Sequence, residues 1–250
     1  MPGIYTLLTG ASSGIGSAIA RQLAPSRRLI LHGRNHAKLC GLRGACPRAE
    51  DHLLWEYDLC DTSGIAASLT ALLGERQIQV DALVHCAGAL QLGAFRLLSR
   101  QVEESLFAVN VFSAMEIARV LRRQKPNRAS LVNVVFISSG ASLFGEKGNA
   151  TYSATKGALD AFMKSLAMEL APSGRVNSIL PGMVEGGMSD LSRRDSSYDD
   201  VIRANYPLGL GRAVDVASAV HFVLSVYARW ITGQQILVDG GFSVHCNHVL

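Results

Sequence analysis

No Cys-x-x-Cys pair occurs in the 250 residues; the five cysteines stand singly at 40, 46, 60, 86 and 246. An odd, scattered set argues against both a disulfide framework and a zinc cage and fits a reducing compartment. The tail HCNH at 245–248 supplies His245, Cys246 and His248 as ligands in type only, because a chain end lacks the rigid surround a metal needs, so no metal is expected. No apolar run approaches the roughly 18 residues that cross a bilayer, and no basic segment precedes an apolar stretch at the amino end. The chain therefore reads as cytoplasmic, with no membrane partner. A formal charge of +4 comes without a long lysine or arginine block. The densest basic run, RVLRRQKPNR at 119–128, reads as a solvated helix end, and no nucleic-acid partner is expected.

What is present is a core and a rhythm. With 48% hydrophobic and 18% charged positions and no internal repeat or low-complexity linker, residues 1–250 read as one domain. Short β-rich runs at 4–9, 27–32, 52–57, 81–86, 131–138, 175–180 and 235–239 alternate with longer helical patterns. That alternation predicts an α/β Rossmann fold: a doubly wound, seven-stranded parallel sheet with helices on both faces and ligands along the carboxyl edge of its strands. Residues 183–207 break the rhythm with polar and charged side chains, Arg193 and Arg194 among them, and read as a mobile lid over a substrate or as a surface excursion.

The first strand runs into TGASSGIG, with glycines at 10, 14 and 16. A glycine-rich turn alone is equally a flexible loop. Here it follows a strand and opens a helix, the setting in which backbone N–H groups and the helix amino end receive a pyrophosphate. The Gly-Lys-Ser/Thr ending of a mononucleotide loop is absent. The second strand ends in HGRN, where no acid is available for ribose hydroxyls; Arg34 instead favours the 2′-phosphate of NADP(H) over NAD(H), although an arginine at a strand end is often only solvated.

In TYSATKGALDAF, residues 151–162, Tyr152 and Lys156 stand four apart and share a helix face. Unit charges about 4 Å apart at an effective dielectric near 20 interact by roughly 4 kcal/mol, about three pKa units, enough to bring a phenol toward neutrality as a proton donor. The fifth strand ends in FISSGAS, which places Ser138 and Ser139 at the ligand edge. Tyrosine and lysine at this spacing are also found as ordinary exposed neighbours, so the surrounding motifs decide.

These segments resemble the short-chain dehydrogenase/reductases along nearly the whole chain: TGASSGIG, the serine pair followed by YSATK, VNSILPG and ITGQQILVDGG, in that order. The nearest likeness is to bacterial 3-oxoacyl-[acyl-carrier-protein] reductases. The resemblance implies that Ser139 polarises a carbonyl, Tyr152 donates the proton, Lys156 lowers the phenol pKa and holds the nicotinamide ribose, and Asn110 holds a water linking Lys156 to solvent. It implies cofactor contacts from Gly10, Ser12, Ser13, Gly14, Ile15, Gly16, Arg34, Asp58 at the adenine amino group, Leu59, Ala87, Gly88, Asn110, Tyr152, Lys156, Pro181, Gly182 and Val184. It also implies reduction of a 3-oxoacyl thioester or polyketide-like ketone, small or carrier-linked, by a homo-oligomer, a tetramer or dimer paired through helices near 100–124 and 150–171.

Three departures stand out. HCAG replaces the family's usual Asn-Asn-Ala-Gly, so His85 and Cys86 take the place of two amides that tie neighbouring backbone together, and local rigidity is in doubt. Gly186 occupies a place where threonine commonly contacts the cofactor, which predicts looser binding that Gly186→Thr would tighten. Met168 stands where the carrier-dependent subgroup tends to have arginine; Arg122, Arg123 and Arg128 are substitutes of the right charge. These changes also allow a catalytically weak, dinucleotide-binding subunit with a structural or regulatory role.

Overall fold

The computed structural model describes residues 3–123, 125–187 and 205–244. Most of the 183–207 segment, with Arg193 and Arg194, and the tail bearing His245, Cys246 and His248 lie outside the described residues. Seven parallel strands, β1 (Ile4–Thr9), β2 (Leu29–Gly33), β3 (Leu53–Glu56), β4 (Gln79–His85), β5 (Asn133–Ile137), β6 (Arg175–Pro181) and β7 (Gln235–Val238), form one sheet in the order β3-β2-β1-β4-β5-β6-β7. The expected fold is the one observed.

The continuous apolar runs are explained by burial on both faces. Adjacent residues along a strand point to opposite sides, so Leu7, Leu83, Val134 and Phe136 enter one core while Leu8, Val84, Val135 and Ile137 enter the other. The first core is closed by α3 (Ile65–Arg76), α5 (Ser113–Arg122) and α6 (Ala150–Leu170), through Leu69, Leu73, Ile117, Leu121, Leu159 and Met163. The second is closed by α1 (Gly14–Leu23), α2 (His36–Gly44) and α7 (Ala213–Leu224), through Ile19, Leu23, Leu39, Val216 and Val220. A shorter helix, α4 (Arg100–Phe107), runs into α5 through a π-helical turn, Ala108–Phe112, that carries Asn110.

All strands but β1 differ from expectation by one or two residues at an end, and the starts of β2, β4 and β5 move by two. β2 starts at Leu29 rather than 27, because the Arg27 guanidinium turns back to the Thr6 hydroxyl at 3.0 Å and Asp81 at 3.5 Å. β4 starts two residues early because Gln79 and Val80 pair with Ile4 and Tyr5. The carboxyl ends of the strands stay within one residue of expectation, and there β1 delivers Gly10, β2 Arg34, β4 Ala87, β5 Ser139 and β6 Gly182 to one edge of the sheet.

Candidate active site

That edge opens into a cleft of about 1420 Å³ running from Arg34 and Asp58 past α1 to Ser139, Tyr152 and Tyr206. Every residue expected at the site lines it except Gly16 and Asn110.

At one end, the three glycines divide the work of the turn. Gly10 takes φ +63°, and a Cβ there would fall 2.8 Å from the Ala87 backbone, so only glycine lets the turn rest against the end of β4. A Cβ on Gly16 would fall 2.1 Å from the Gly10 carbonyl, so the third glycine closes the turn on itself. Between them, a Cβ on Gly14 would meet only the Gly186 carbonyl at 3.5 Å, and the backbone at the head of α1 is left open to the cleft. Ser13 caps α1 by accepting the Gly16 N–H at 3.0 Å. Tight turn, open approach and close packing together fit a dinucleotide pyrophosphate. Beyond it, the Arg34 guanidinium lies 3.9 Å from Asp58, both well exposed. So loose a surface pair is weak, and the guanidinium is available to an anion.

The HCAG departure has a structural replacement. The Thr9 hydroxyl accepts the N–H groups of both Cys86 and Ala87 at 3.1 Å, and lies 3.1 Å from His85 Nδ1. With its oxygen taken by two amides, the Thr9 proton goes to Nδ1, which makes His85 a neutral Nε2–H tautomer. Burial then pushes the His85 pKa down to about 3. His32 does the same under the glycine turn: Nδ1 accepts the Gly10 N–H at 3.3 Å and Nε2 donates to the Tyr57 carbonyl at 3.1 Å, and burial lowers its pKa to about 4. The rigidity put in doubt by the lost amides is carried by Thr9, a polar residue at a buried strand end that sequence reasoning passed over.

Gly186 requires a correction. Its φ is +67°, a conformation that a β-branched residue resists at a cost of about 1–2 kcal/mol. Threonine at this position would strain the turn, and the tightening expected of Gly186→Thr does not follow from this backbone.

At the reacting end, Tyr152 and Lys156 face the cleft from one side of α6 and are both buried. Lys156 Nζ donates to the Ile137 carbonyl at 2.9 Å and sits 5.7 Å from the centre of the Tyr152 ring. Burial brings the ammonium pKa down to about 8, opposed by Cys86 and Asp160. The phenol is not brought toward neutrality in the chain by itself. Burial, with Glu146 in support, pushes it up to about 12 against the hydrogen bond from Ser139. The shared helix face is as expected, but the ammonium is directed at a carbonyl, and desolvation of the phenolate dominates.

Asn110 stands behind the cleft wall. Its Oδ1 accepts the Ala89 N–H at 2.7 Å, while Nδ2 donates to the Ala89 carbonyl at 3.0 Å and the Thr155 hydroxyl at 2.9 Å. This side chain ties the segment after β4 to α6. Also lining the cleft, Tyr206 stacks on Phe242 with ring centres 4.9 Å apart, and its hydroxyl accepts the Met183 N–H at 3.0 Å. Neither aromatic residue had a sequence signal beyond composition.

A family model described as enoyl-(acyl carrier protein) reductase matches residues 10–243. Among curated proteins, the chain is 33% identical to D-erythrulose reductase of Gallus gallus over 97% of this chain and 96% of that protein. It is 32% identical to nodulation protein G of Rhizobium sp. (strain N33), covering 98% of both, and 31% identical to L-xylulose reductase of Bos taurus, covering 97% of both. Among solved structures, a short-chain dehydrogenase/reductase from Brucella melitensis superposes with a TM-score of 0.86 at 29% identity, covering 97% of this chain and 99% of that one. A gluconate 5-dehydrogenase from Burkholderia cenocepacia, in complex with NADP and tartrate, superposes with a TM-score of 0.88 at 25% identity, covering 98% and 97%. Sheet order, glycine turn, buried Tyr-Lys pair and end-to-end similarity agree: the chain belongs to the short-chain dehydrogenase/reductase family and is an NAD(P)-dependent oxidoreductase.

Proposed function

We propose that this enzyme reduces a small ketone to a secondary alcohol with NADPH, with Tyr152 as the proton donor. The observation that carries the reading is a single cleft with a cation at its adenosine end and Ser139, Tyr152 and Lys156 at the other. The Ser139 hydroxyl bonds the substrate oxygen and orients it, and Tyr152 protonates that oxygen as it becomes an alkoxide. Lys156 stabilises the phenolate left behind and holds a ribose, while Asn110 fixes the backbone beside them. Gly14, Ile15, Ser12 and Ser13 receive the pyrophosphate, Asp58 and Leu59 the adenine, and Pro181, Gly182 and Val184 the nicotinamide. NADPH, when bound, supplies the hydride.

A phenol pKa near 12 supports the reductive direction. The acid is fully protonated across the physiological range, whereas the phenolate needed to oxidise an alcohol is disfavoured by about 3 kcal/mol relative to an ordinary tyrosine.

The substrate mouth supports a neutral, polyhydroxylated ketone. Glu146 and Asn149 are hydrogen-bonded to one another beside Tyr152 and Tyr206, and a carboxylate close enough to raise both phenol pKa values repels an anionic substrate. The names of the chicken and cattle relatives point the same way. A carrier-linked 3-oxoacyl thioester is the second reading, its carrier supported by the acyl carrier protein in the family model's description and by basic Arg122, Arg123 and Arg128. The test is steady-state oxidation of NADPH and NADH with erythrulose, xylulose, a simple β-ketoester and a 3-oxoacyl thioester. A ketose is expected to turn over best with NADPH, and Arg34→Asp to lower kcat/KM for NADPH at least about tenfold while sparing NADH. Equal use of both cofactors by the unaltered enzyme would remove the role given to Arg34.

A homo-oligomer is part of this reading. Half-exposed Phe112 and exposed Phe95 border a groove of about 450 Å³ between α4 and α6 that also includes Phe107, Thr151 and Ala154. A sizing column should show a dimer or tetramer, and Phe112→Arg should reduce it to the monomer.

A further inference from the structure

One turn beyond Lys156, α6 carries a third ionisable side chain on its buried face, Asp160, which is only 3% exposed. Its Oδ2 accepts from the Ser138 hydroxyl at 2.9 Å and from Gln235 Nε2 at 2.9 Å. Its Oδ1 has no hydrogen-bond partner among the described residues. Both bonds are of a kind that a neutral asparagine oxygen accepts equally well, so they do not explain a buried carboxyl group at this position.

The geometry around Lys156 supplies the reason. Consecutive turns of α6 hold consecutive residues at the end of β5: Lys156 donates to the Ile137 carbonyl, Asp160 holds the Ser138 side chain, and Ser139 follows at once. The groups facing the ammonium are Tyr152 and Asp160 from α6, His85 and Cys86 at the end of β4, and the Ile137 carbonyl of β5. His85 is buried and disfavours the ammonium, whereas Cys86 and Asp160 favour it, and burial raises the Cys86 thiol to about 11.

We propose that Asp160 is a positioning residue of the active site: it fixes the Ser138–Ser139 turn through the Ser138 hydroxyl and keeps Lys156 an ammonium by supplying its counter-charge. This rests on the reading that Tyr152 and Lys156 carry the chemistry. Reduction needs the phenol and the ammonium, and both are lost on the alkaline side. The ammonium goes first, since its pKa of about 8 lies below the phenol's of about 12.

The experiment is the pH profile of kcat/KM from pH 6 to 10 in three variants. Asp160→Asn keeps the shape and removes the charge, so the alkaline fall should move about one unit lower. Ser138→Ala keeps the charge and cuts the tether; kcat should fall about tenfold with the alkaline fall unmoved. An Asp160→Asn enzyme with the unaltered profile overturns the counter-charge, and a Ser138→Ala enzyme with unaltered kcat overturns the tether, the latter readable even if Asp160→Asn does not fold. Tyr152→Phe separates the two levels. Activity surviving in that variant sinks the reading beneath, whereas lost activity with an unmoved Asp160→Asn profile sinks only the role of Asp160.

Discussion

Replacing Tyr152 by phenylalanine is expected to lower kcat for NADPH-dependent ketone reduction by about 10³-fold while leaving NADPH binding within about tenfold of the unaltered protein. The phenol is the acid at the reacting end of the cleft that is buried, hydrogen-bonded to Ser139 and one helical turn from an ammonium. Its elevated pKa does not count against it. An alkoxide is far more basic than any phenolate, so transfer from Tyr152 remains downhill even from about 12, and the neutral acid is always in place. Phenylalanine keeps the ring's packing and removes only the proton and its hydrogen bond, so the loss should fall on kcat. Single-turnover NADPH oxidation and a fluorescence titration of NADPH separate the two quantities. A variant with kcat within tenfold of the unaltered enzyme would show that another group delivers the proton and would revive the reading of a binding subunit.

How much of this was legible in the sequence depends on whether the determinant is local. The sheet was legible because doubly buried strands are forced into apolar runs such as LVNVVFIS, and the glycine turn because its backbone tolerates few other residues. The Tyr152–Lys156 pair was legible as a helical spacing. The direction of the phenol shift was not, since spacing gives proximity but says nothing of burial, and burial decides the outcome here. The left-handed conformation of Gly186 and the use of Thr9 in place of two amides depend on contacts between segments far apart in the chain. Asp160 lay in view, four residues past Lys156, but a carboxylate on a helix reads as solvated until the helix is seen to bury that face.

Three buried histidines, His32, His52 and His85, should make the fold sensitive to mild acid. His32 and His85 have pKa values of about 4 and about 3 in the folded chain, against an ordinary 6.5, and burial also lowers His52, whose Nδ1 accepts the Leu29 N–H at 3.2 Å. Each binds its proton more readily when unfolded, so the stability that depends on its neutral form is complete above pH 6.5. That stability is lost progressively as pH falls toward about 4 for His32 and about 3 for His85. Per histidine the slope approaches about 1.4 kcal/mol per pH unit, and the totals reach roughly 3 and 5 kcal/mol if fully expressed. Between pH 6.5 and 5 ordinary carboxylates stay ionised in both states; Asp81, whose burial raises its pKa, protonates first in the folded chain and works in the opposite direction. Urea-unfolding midpoints should therefore fall steeply from pH 7 to 5, and His85→Asn should flatten that slope by about one histidine's share whatever it does to stability at pH 7. A midpoint constant over that range would mean that these rings are hydrated or already paired with a proton acceptor. Cofactor binding should not follow that curve: from pH 6.5 to about 4 the proton is taken up by the unfolded chain, and only near the folded pKa values does a proton on His32 Nδ1 displace the Gly10 N–H or one on His85 Nδ1 displace the Thr9 hydroxyl proton. Those two bonds set the Ala87 wall and the glycine turn against each other, so the NADPH affinity of the folded protein should hold from pH 7 to 5 while the urea midpoint falls.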